Sequence, residues 1–372
     1  MKFSIDRASL LKSLSHVQSV VEKRGTIPIL SNIKVEATGN QIELTATDMD
    51  VAMVDQVTAK VEKGGATTIP AHMLYEIIRK LPDGAEIVIE EVASDGKVRI
   101  TTGYSKFALS TLPIDDFPAM AEGELAYSFV LTGAECRALI EKTRFAMSTE
   151  ETRYYLNGVY LHAHEANGNS VLRSVATDGH RLARLEIPLP AGASGMPGVI
   201  IPRKTIAELS KLLEDGIEQV KISLSDTKIR FLCGNATLVS KLIDGTYPDY
   251  ERVVPQNNTK IMEVDSGAFA KSVDRVSVIA ADKVRGIKLA MGPGKLTLSA
   301  SSPEHGTAQE TLEVTYAADP IEIGFNARYI MDIMSEIEGG NAQFVFNDSN
   351  SPALVRDSAD VGALYVLMPM RV

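Results

Sequence analysis

The chain is 372 residues long, and at about 150 residues per domain that length points to two or three cores rather than one. Hydrophobic residues make up 45% and charged residues 23%, the balance of a folded globular chain rather than a disordered or membrane-embedded one. Thirty-eight basic residues stand against 48 acidic ones, a formal charge of −10; on its face this argues against nucleic acid, because duplex binding rests on cations that neutralise phosphates.

The longest apolar runs, such as 363–370, are about eight residues, too short to span a bilayer. The opening stretch from Met1 to Lys12 is charged and amphipathic and lacks the apolar core of a secretory signal, so the expected location is the cytoplasm. Cys136 and Cys233 are the only cysteines. Their separation offers neither a disulfide framework nor a cysteine zinc site.

Taken in chain order, the elements repeat. From Phe3 a short alternating strand runs into a helix whose Leu10, Leu14 and Val17 fall on one face. A second strand runs from Thr67 into another helix start at Pro70, where a missing amide hydrogen costs little, and Leu74, Ile77 and Leu81 continue the stripe. An apolar strand follows from Glu86, and the stretch closes on Lys106–Pro113 and Asp116-Phe117-Pro118. The same order returns from Phe129, with Cys136, Ile140 and Thr143, then Val199 to Pro202, then Ile206, Leu209 and Leu213, and finally Thr237 to Tyr250. It returns again from Met262, with Phe269, Val273 and Val276, then Glu322 to Ile330, Ile333 and Ile337, and the run from Ala363 to Val372. The starts lie 126 and 133 residues apart. The expected organisation is α+β: three domains of one plan, 1–125, 126–256 and 257–372, each with two helices and about eight mostly antiparallel strands joined by short turns such as Thr38-Gly39-Asn40.

The string from Ser174 to Ala183 carries the densest chemistry, with Asp178 and His180 close together. A metal site there lacks a third ligand at a familiar spacing, and a hydrolase there lacks a flanked nucleophile. Phosphate-loop, dinucleotide and zinc-protease motifs are absent from the sequence. An Asp-Gly turn is the simpler reading. Leu44 to Asp50 forms a partial counterpart in the first repeat, so Thr-Asp belongs to the scaffold. What differs is Gly179-His180-Arg181-Leu182, whose bare backbone, polar ring, guanidinium and aliphatic group suit a surface groove for a peptide. The run Leu367-Met368-Pro369-Met370-Arg371-Val372 adds two thioethers, which accept varied apolar partners.

The triple plan, Tyr154-Tyr155-Leu156-Asn157-Gly158, Ala176 to Ala183, Ile201 to Lys204, Tyr247-Pro248-Asp249-Tyr250 and Met368-Pro369-Met370-Arg371 together resemble the bacterial DNA polymerase III beta subunits, the sliding clamps. The resemblance covers the whole chain in order. It implies three repeated DNA-clamp domains with helices packed on antiparallel sheets, and a head-to-tail homodimer closed into a six-domain ring around duplex DNA. It also implies a processivity factor without catalysis, cofactor or metal. The implied partners are encircled duplex DNA read without sequence preference, the DNA polymerase III alpha subunit, the clamp loader complex, and other DNA polymerases, ligase and mismatch-repair proteins that carry clamp-binding peptides. No membrane is implied, and the location is cytoplasmic, at the nucleoid.

Residue by residue, the resemblance implies a partner-peptide groove of Leu156, Thr177, Gly179, His180, Arg181, Leu182, Pro248, Arg252, Val253, Val366, Met368, Pro369, Met370 and Arg371, with the arginines at its rim. Pro352 departs from the pattern where another member carries a hydroxyl. DNA contacts are implied for Arg24, Arg153, Tyr154, Tyr155, Arg203 and Lys204, with Glu150 and Glu151 opposing them. Phe107 and Leu109 on one edge strand are expected to meet Val278 and Ile279 on the other subunit's edge strand. The alternative is a cytosolic β-rich peptide-binding scaffold without DNA. Under the ring reading, the acidity belongs to the outer sheets. Lys12, Arg79, Lys80, Arg137, Lys142, Lys211, Lys271, Arg275 and Arg328 on the repeated helices then supply a positive lining.

Overall fold

The computed structural model describes all residues except 23–24, 93–95, 120–122, 167, 215, 281–284 and 372. Among the described residues six α-helices occupy the positions the repeats predict: α1 (Arg7–Gln18), α2 (Ala71–Lys80), α3 (Gly133–Arg144), α4 (Arg203–Glu214), α5 (Ser266–Ser277) and α6 (Ala327–Met334). Their starts are set by local chemistry. Asp6 accepts the Ser9 amide at 2.9 Å and Asp265 the Ala268 amide at 2.7 Å, satisfying donors that a helix start leaves orphaned. At α3, Thr132 and Glu135 exchange bonds reciprocally at 3.1 and 2.9 Å, a capping box. The predicted stripes of α1 and α5 are buried on the sheets: Leu10, Leu14 and Val17, then Phe269, Val273 and Val276. At about 1.5–3 kcal/mol per buried aliphatic or aromatic side chain, this burial outweighs the modest intrinsic helix propensities.

The chain forms two compact units, Met1–Arg137 with Pro190–Pro197 and Lys204–Leu242, and Ala138–Leu189 with Gly198–Arg203 and Ile243–Val372. The first unit holds a five-stranded sheet ordered Lys60–Lys63, Lys2–Asp6, Glu86–Val92, Lys97–Thr102, Ser105–Ser110. It also holds an eight-stranded sheet ordered Tyr127–Thr132, Gln219–Leu224, Lys228–Cys233, Ala236–Lys241, Val51–Thr58, Gln41–Thr47, Asn32–Thr38, Gly65–Pro70. The second unit holds a nine-stranded sheet ordered Val199–Pro202, Gly158–Ala166, Asn169–Thr177, Arg181–Pro188, Ala363–Leu367, Ala353–Asp357, Asn341–Phe346, Lys260–Asp265, Thr315–Tyr316. Its four-stranded sheet is ordered Gly306–Glu313, Lys295–Ser302, Gly286–Gly292, Ile321–Asn326. The paired strands run antiparallel, for example with Leu182 facing Val366 and Ala52 facing Val239.

The sheets run across the boundaries the repeats suggest. The middle repeat lends four strands to the eight-stranded sheet and four to the nine-stranded one. Pairing Ala236–Lys241 with Val51–Thr58 and Arg181–Pro188 with Ala363–Leu367 leaves no open ladder at either seam. Two expectations change here. Val278 is the C-cap of α5 and Ile279 follows it, so neither lies on an edge strand; the edge of that sheet is Gly306–Glu313. Lys142 is buried, with its ammonium 2.6 Å from Asp360, and so contributes no charge to a lining.

Candidate functional site

The site is built on a turn. Thr177 ends one strand and Arg181 begins the next, and the Thr177 hydroxyl donates to the Arg181 carbonyl at 2.6 Å while accepting the Gly179 amide at 3.1 Å. Asp178 Oδ1 accepts the amides of His180 and Arg181 at 2.9 and 3.0 Å. Residue 179 sits at φ +88°, which glycine adopts without steric cost, and a Cβ there would stand 2.6 Å from Arg153 Nη1 and push that side chain aside. Asp178 is thereby engaged as a turn cap, and the His180 ring stacks on Tyr329 with centroids 6.3 Å apart. This is the turn reading of that string.

Arg181 is not a rim group. Only 8% of its surface is exposed; it holds Asp178 at 3.1 Å, Asp332 at 2.5 Å and the Phe145 carbonyl at 2.6 Å, with its guanidinium 4.3 Å over Tyr329. Arg181 pairs with Leu367 across the strands, and its guanidinium lies among Phe145, Tyr329 and Asp332. A buried guanidinium is tolerated there because carboxylates, a carbonyl and an aromatic face replace its water.

The next position along points the other way. Leu182 faces Val366, and both join Leu156, Val175, Tyr247, Tyr250, Val345 and Leu354 in one buried cluster. Residues more exposed follow it along the chain: Pro248 just before the short helix Tyr250–Val253, Arg252 and Val253 within that helix, and Met368 beyond the last strand. Val253 is 48% exposed and Met368 38%. Met368 is fixed by its amide donating to the His180 carbonyl at 3.0 Å, and Met370 by a 2.9 Å bond to the Gly324 carbonyl. Pro369 is half-buried and Arg371 exposed. The structure thus brings together an apolar floor and a flexible thioether border, which can bury the aliphatic and aromatic side chains of an extended segment.

Beneath the floor lies a polar support. The Tyr160 and Tyr247 rings stack at 4.6 Å and 5°. His162 Nε2 and the Tyr250 hydroxyl are 2.9 Å apart, and Arg173 donates to that hydroxyl at 3.0 Å and to Glu186 at 2.5 Å. Burial pushes the His162 imidazole down to about 4, so it is neutral near pH 7. Val345, Leu354, Tyr247 and this network were not among the groove residues expected from sequence. Tyr247 was visible in its Tyr-Pro-Asp-Tyr string, whereas Val345 and Leu354 sit on unremarkable apolar strands. Pro352 directs its carbonyl to Asn258 Nδ2 at 2.9 Å.

The residues assigned to DNA fare differently from one another. Arg24 lies outside the described residues. Tyr154 is 53% exposed, while Tyr155 packs against the apolar cluster. Arg153 is tied to Glu150 at 2.7 Å. Arg203 donates to the Met147 carbonyl at 2.8 Å and to that of Ser148, and Lys204 reaches Asp48 at 2.5 Å and the Val20 carbonyl at 2.9 Å. On the helices, Arg79, Lys211 and Arg275 pair with Glu76, Glu208 and Glu310, and Arg137 donates to the Leu213 carbonyl. Lys80, Lys271 and Arg328 are exposed and have no ion-pair partner among the described residues.

Three family descriptions match the sequence in tandem: the N-terminal, central and C-terminal domains of the DNA polymerase III beta subunit, over residues 1–121, 130–249 and 251–371. The beta sliding clamp of Caulobacter vibrioides is 52% identical over 372 residues, all of both chains. A solved sliding clamp of Bartonella birtlesii bound to griselimycin superposes with a TM-score of 0.97 at 46% identity, covering 100% of each chain. A Caulobacter crescentus beta sliding clamp with polyethylene glycol at a putative tethering region gives 0.96 at 52% identity, covering 100% of this chain and 99% of that one. Matched along its length in sequence and in fold, the chain belongs to the DNA polymerase III beta subunit family, the sliding clamps of DNA replication.

Proposed function

We propose that this sliding clamp acts without catalysis, as two chains joined head to tail in a ring around duplex DNA, and that it tethers replication proteins through the Leu156, Leu182, Val366 and Met368 surface. The observation that carries the tether is that apolar floor and its border, held by the Thr177–Arg181 turn. Partners of the stated chemistry are the polymerase alpha subunit, the clamp loader, and other polymerases, ligase and mismatch-repair proteins that present a short Leu- and Phe-containing peptide. Leu and Phe each contribute about 1.5–3 kcal/mol when fully desolvated, which suits exchange between partners. Arg252 and Arg371, exposed beside the floor, orient the peptide's polar atoms.

For DNA, Tyr154 is the more open ring of the Tyr154-Tyr155 pair and meets a base or sugar, with Arg153 adding charge. Arg203 and Lys204 support these contacts by bracing their own chain. Lys80, Lys271 and Arg328 supply the positive lining, while the acidic remainder repels DNA from other faces. The open strand Ser105–Ser110, with Phe107 and Leu109, takes the second subunit through the Gly306–Glu313 edge, with Val278 and Ile279 packing at the adjoining helix end. Among the described residues no helix is long and apolar enough to cross a membrane; the ring works in the cytoplasm at the nucleoid. Deleting Met368–Val372 tests the tether. Affinity for a Leu/Phe peptide in fluorescence anisotropy is expected to fall by about 30-fold or more, the loss of roughly one buried anchor, with the dimer mass unchanged. Unaltered affinity would refute the assignment.

A further inference from the structure

The turn that builds the tether has a twin. At Thr47–Val51 the Thr47 hydroxyl donates to the Val51 carbonyl at 2.9 Å and accepts the Met49 amide at 2.9 Å, while Asp48 Oδ1 accepts the amides of Asp50 and Val51 at 2.9 and 2.7 Å. Met49 has φ 79°, close to the 88° of Gly179. Past the turn, Ala52 faces Val239 as Leu182 faces Val366. Phe117-Pro118 stands where the later repeat has Tyr247-Pro248. Here the smaller side chains leave a cleft of about 600 Å³ over the eight-stranded sheet, lined by Ala52, Val239 and Phe117 among others.

The cleft's charge is ordered by the strand register. One cross-strand row reads Lys221, Leu232, Thr237, Val54, Thr45, Lys34, and the neighbouring row reads Ser223, Arg230, Val239, Ala52, Thr47. All of these residues line the cleft, with Lys228 and a single carboxylate, Glu43. Cations therefore stand at both ends of an apolar middle. Lys34 shares its ammonium with Glu36 at 3.2 Å, whereas Lys221 and Arg230 have no ion-pair partner among the described residues. Six strands at about 4.8 Å spacing separate the end lysines by roughly 24 Å, the reach of about seven extended residues.

We infer that this cleft is a second peptide site, which takes an extended acidic segment of about seven residues with one apolar side chain at its centre. The complementarity is between carboxylates of the segment and Lys221, Arg230 and Lys34, and between its central side chain and Val54, Val239 and Leu232. A nucleic acid fits less well, because Phe117 is the one aromatic ring among the described residues lining the cleft and the row itself offers aliphatic and hydroxyl side chains, too few stacking faces for successive bases. The cleft lets the clamp hold a partner with acidic flanks while the Leu182–Val366 surface holds another, and it stands on its own residues whichever way the tether assignment falls.

The probe is a fluorescein-labelled heptapeptide of Asp and Glu with one central Phe, titrated against the full chain in anisotropy at low salt. Saturable binding is expected, weakened about tenfold or more by Lys221→Glu with Arg230→Glu and unaltered by deletion of Met368–Val372. Leu232→Asp, at a site already 40% exposed, gives the same direction of change should the double variant melt early. The inference is overturned by any of these results: no saturation, equal affinity of the parent chain and the Lys221→Glu, Arg230→Glu double variant, or displacement of the probe by an oligothymidylate as effective as by unlabelled peptide. Loss of binding on the C-terminal deletion would place the probe at the other surface and overturn it too.

Discussion

The turns at Thr47–Val51 and Thr177–Arg181 make the same backbone bonds and lead into facing strand positions of the same kind, yet they are completed differently. Asp178 is paired by Arg181 from its own turn, at 3.1 Å, deep in the fold. Asp48 is paired by Lys204 from a distant helix, at 2.5 Å, with a third of the lysine side chain still exposed. Burial pushes the Asp48 carboxyl up, but Lys204 and the amides of Val51 and Asp50 outweigh it and hold the group below the usual carboxylate range. Beyond the turns, one surface is floored by Leu182 and Val366 and the other by Ala52 and Val239. The scaffold fixes where a surface lies, and a few side chains decide what it can hold.

The largest effect is expected at the buried arginine. Arg181→Ala leaves Asp178 and Asp332 without their cation and should cost about 3–5 kcal/mol in urea unfolding. Lys204→Ala, which removes the part-exposed cation that serves Asp48 in the twin turn, should cost about 1 kcal/mol. Equal costs would erase the distinction between the two turns.

The support beneath the floor gives the next largest effect. His162 is held neutral, with its folded pKa about 4, below an unfolded value near 6.5. Between those values the unfolded chain binds the proton and the folded chain does not, so stability falls as pH drops from 6.5 toward 4. Lowering the pH from 7 to 4.5 should remove about 2 kcal/mol through this group. The urea midpoint of His162→Gln should depend less steeply on pH than that of the parent chain; parallel pH profiles would remove His162 from the account.

A smaller effect separates the turn glycine from its twin. Gly179→Ala forces a Cβ into the left-handed region and against Arg153, and should destabilise by about 1–2 kcal/mol. Met49→Gly relieves the same backbone cost and should be neutral or stabilising by up to about 1 kcal/mol. Opposite signs in thermal melting are expected, and destabilisation by both would show that the turns are not equivalent.

Much of the fold was legible because its signals are local and repeated. The stripes Leu10, Leu14, Val17 and Phe269, Val273, Val276 are buried as their spacing requires, and the caps at Asp6 and Asp265 are in place. What sequence could not supply was pairing at long range. The sharing of the middle repeat between two sheets depends on which edges meet, and Val278 reads as strand only until α5 is seen to end there. Leu182, Val366 and Leu156 share one buried cluster. Arg181 went from rim to interior because a one-residue step along a strand changes face, a distinction its motif does not carry. The cations of the helices were legible as charges but not as pairs: Lys142 and Asp360 are 218 positions apart.

The acidic balance of −10 finds its sense only if enclosure, and not attraction, keeps the protein on DNA. The direct test loads the protein onto closed circular duplex and follows co-elution in gel filtration before and after a single restriction cut. Retention on circles through high salt, with release once the ends are free, is the predicted result. Retention on the cut, unblocked linear DNA, or loss from intact circles as salt rises, would contradict it.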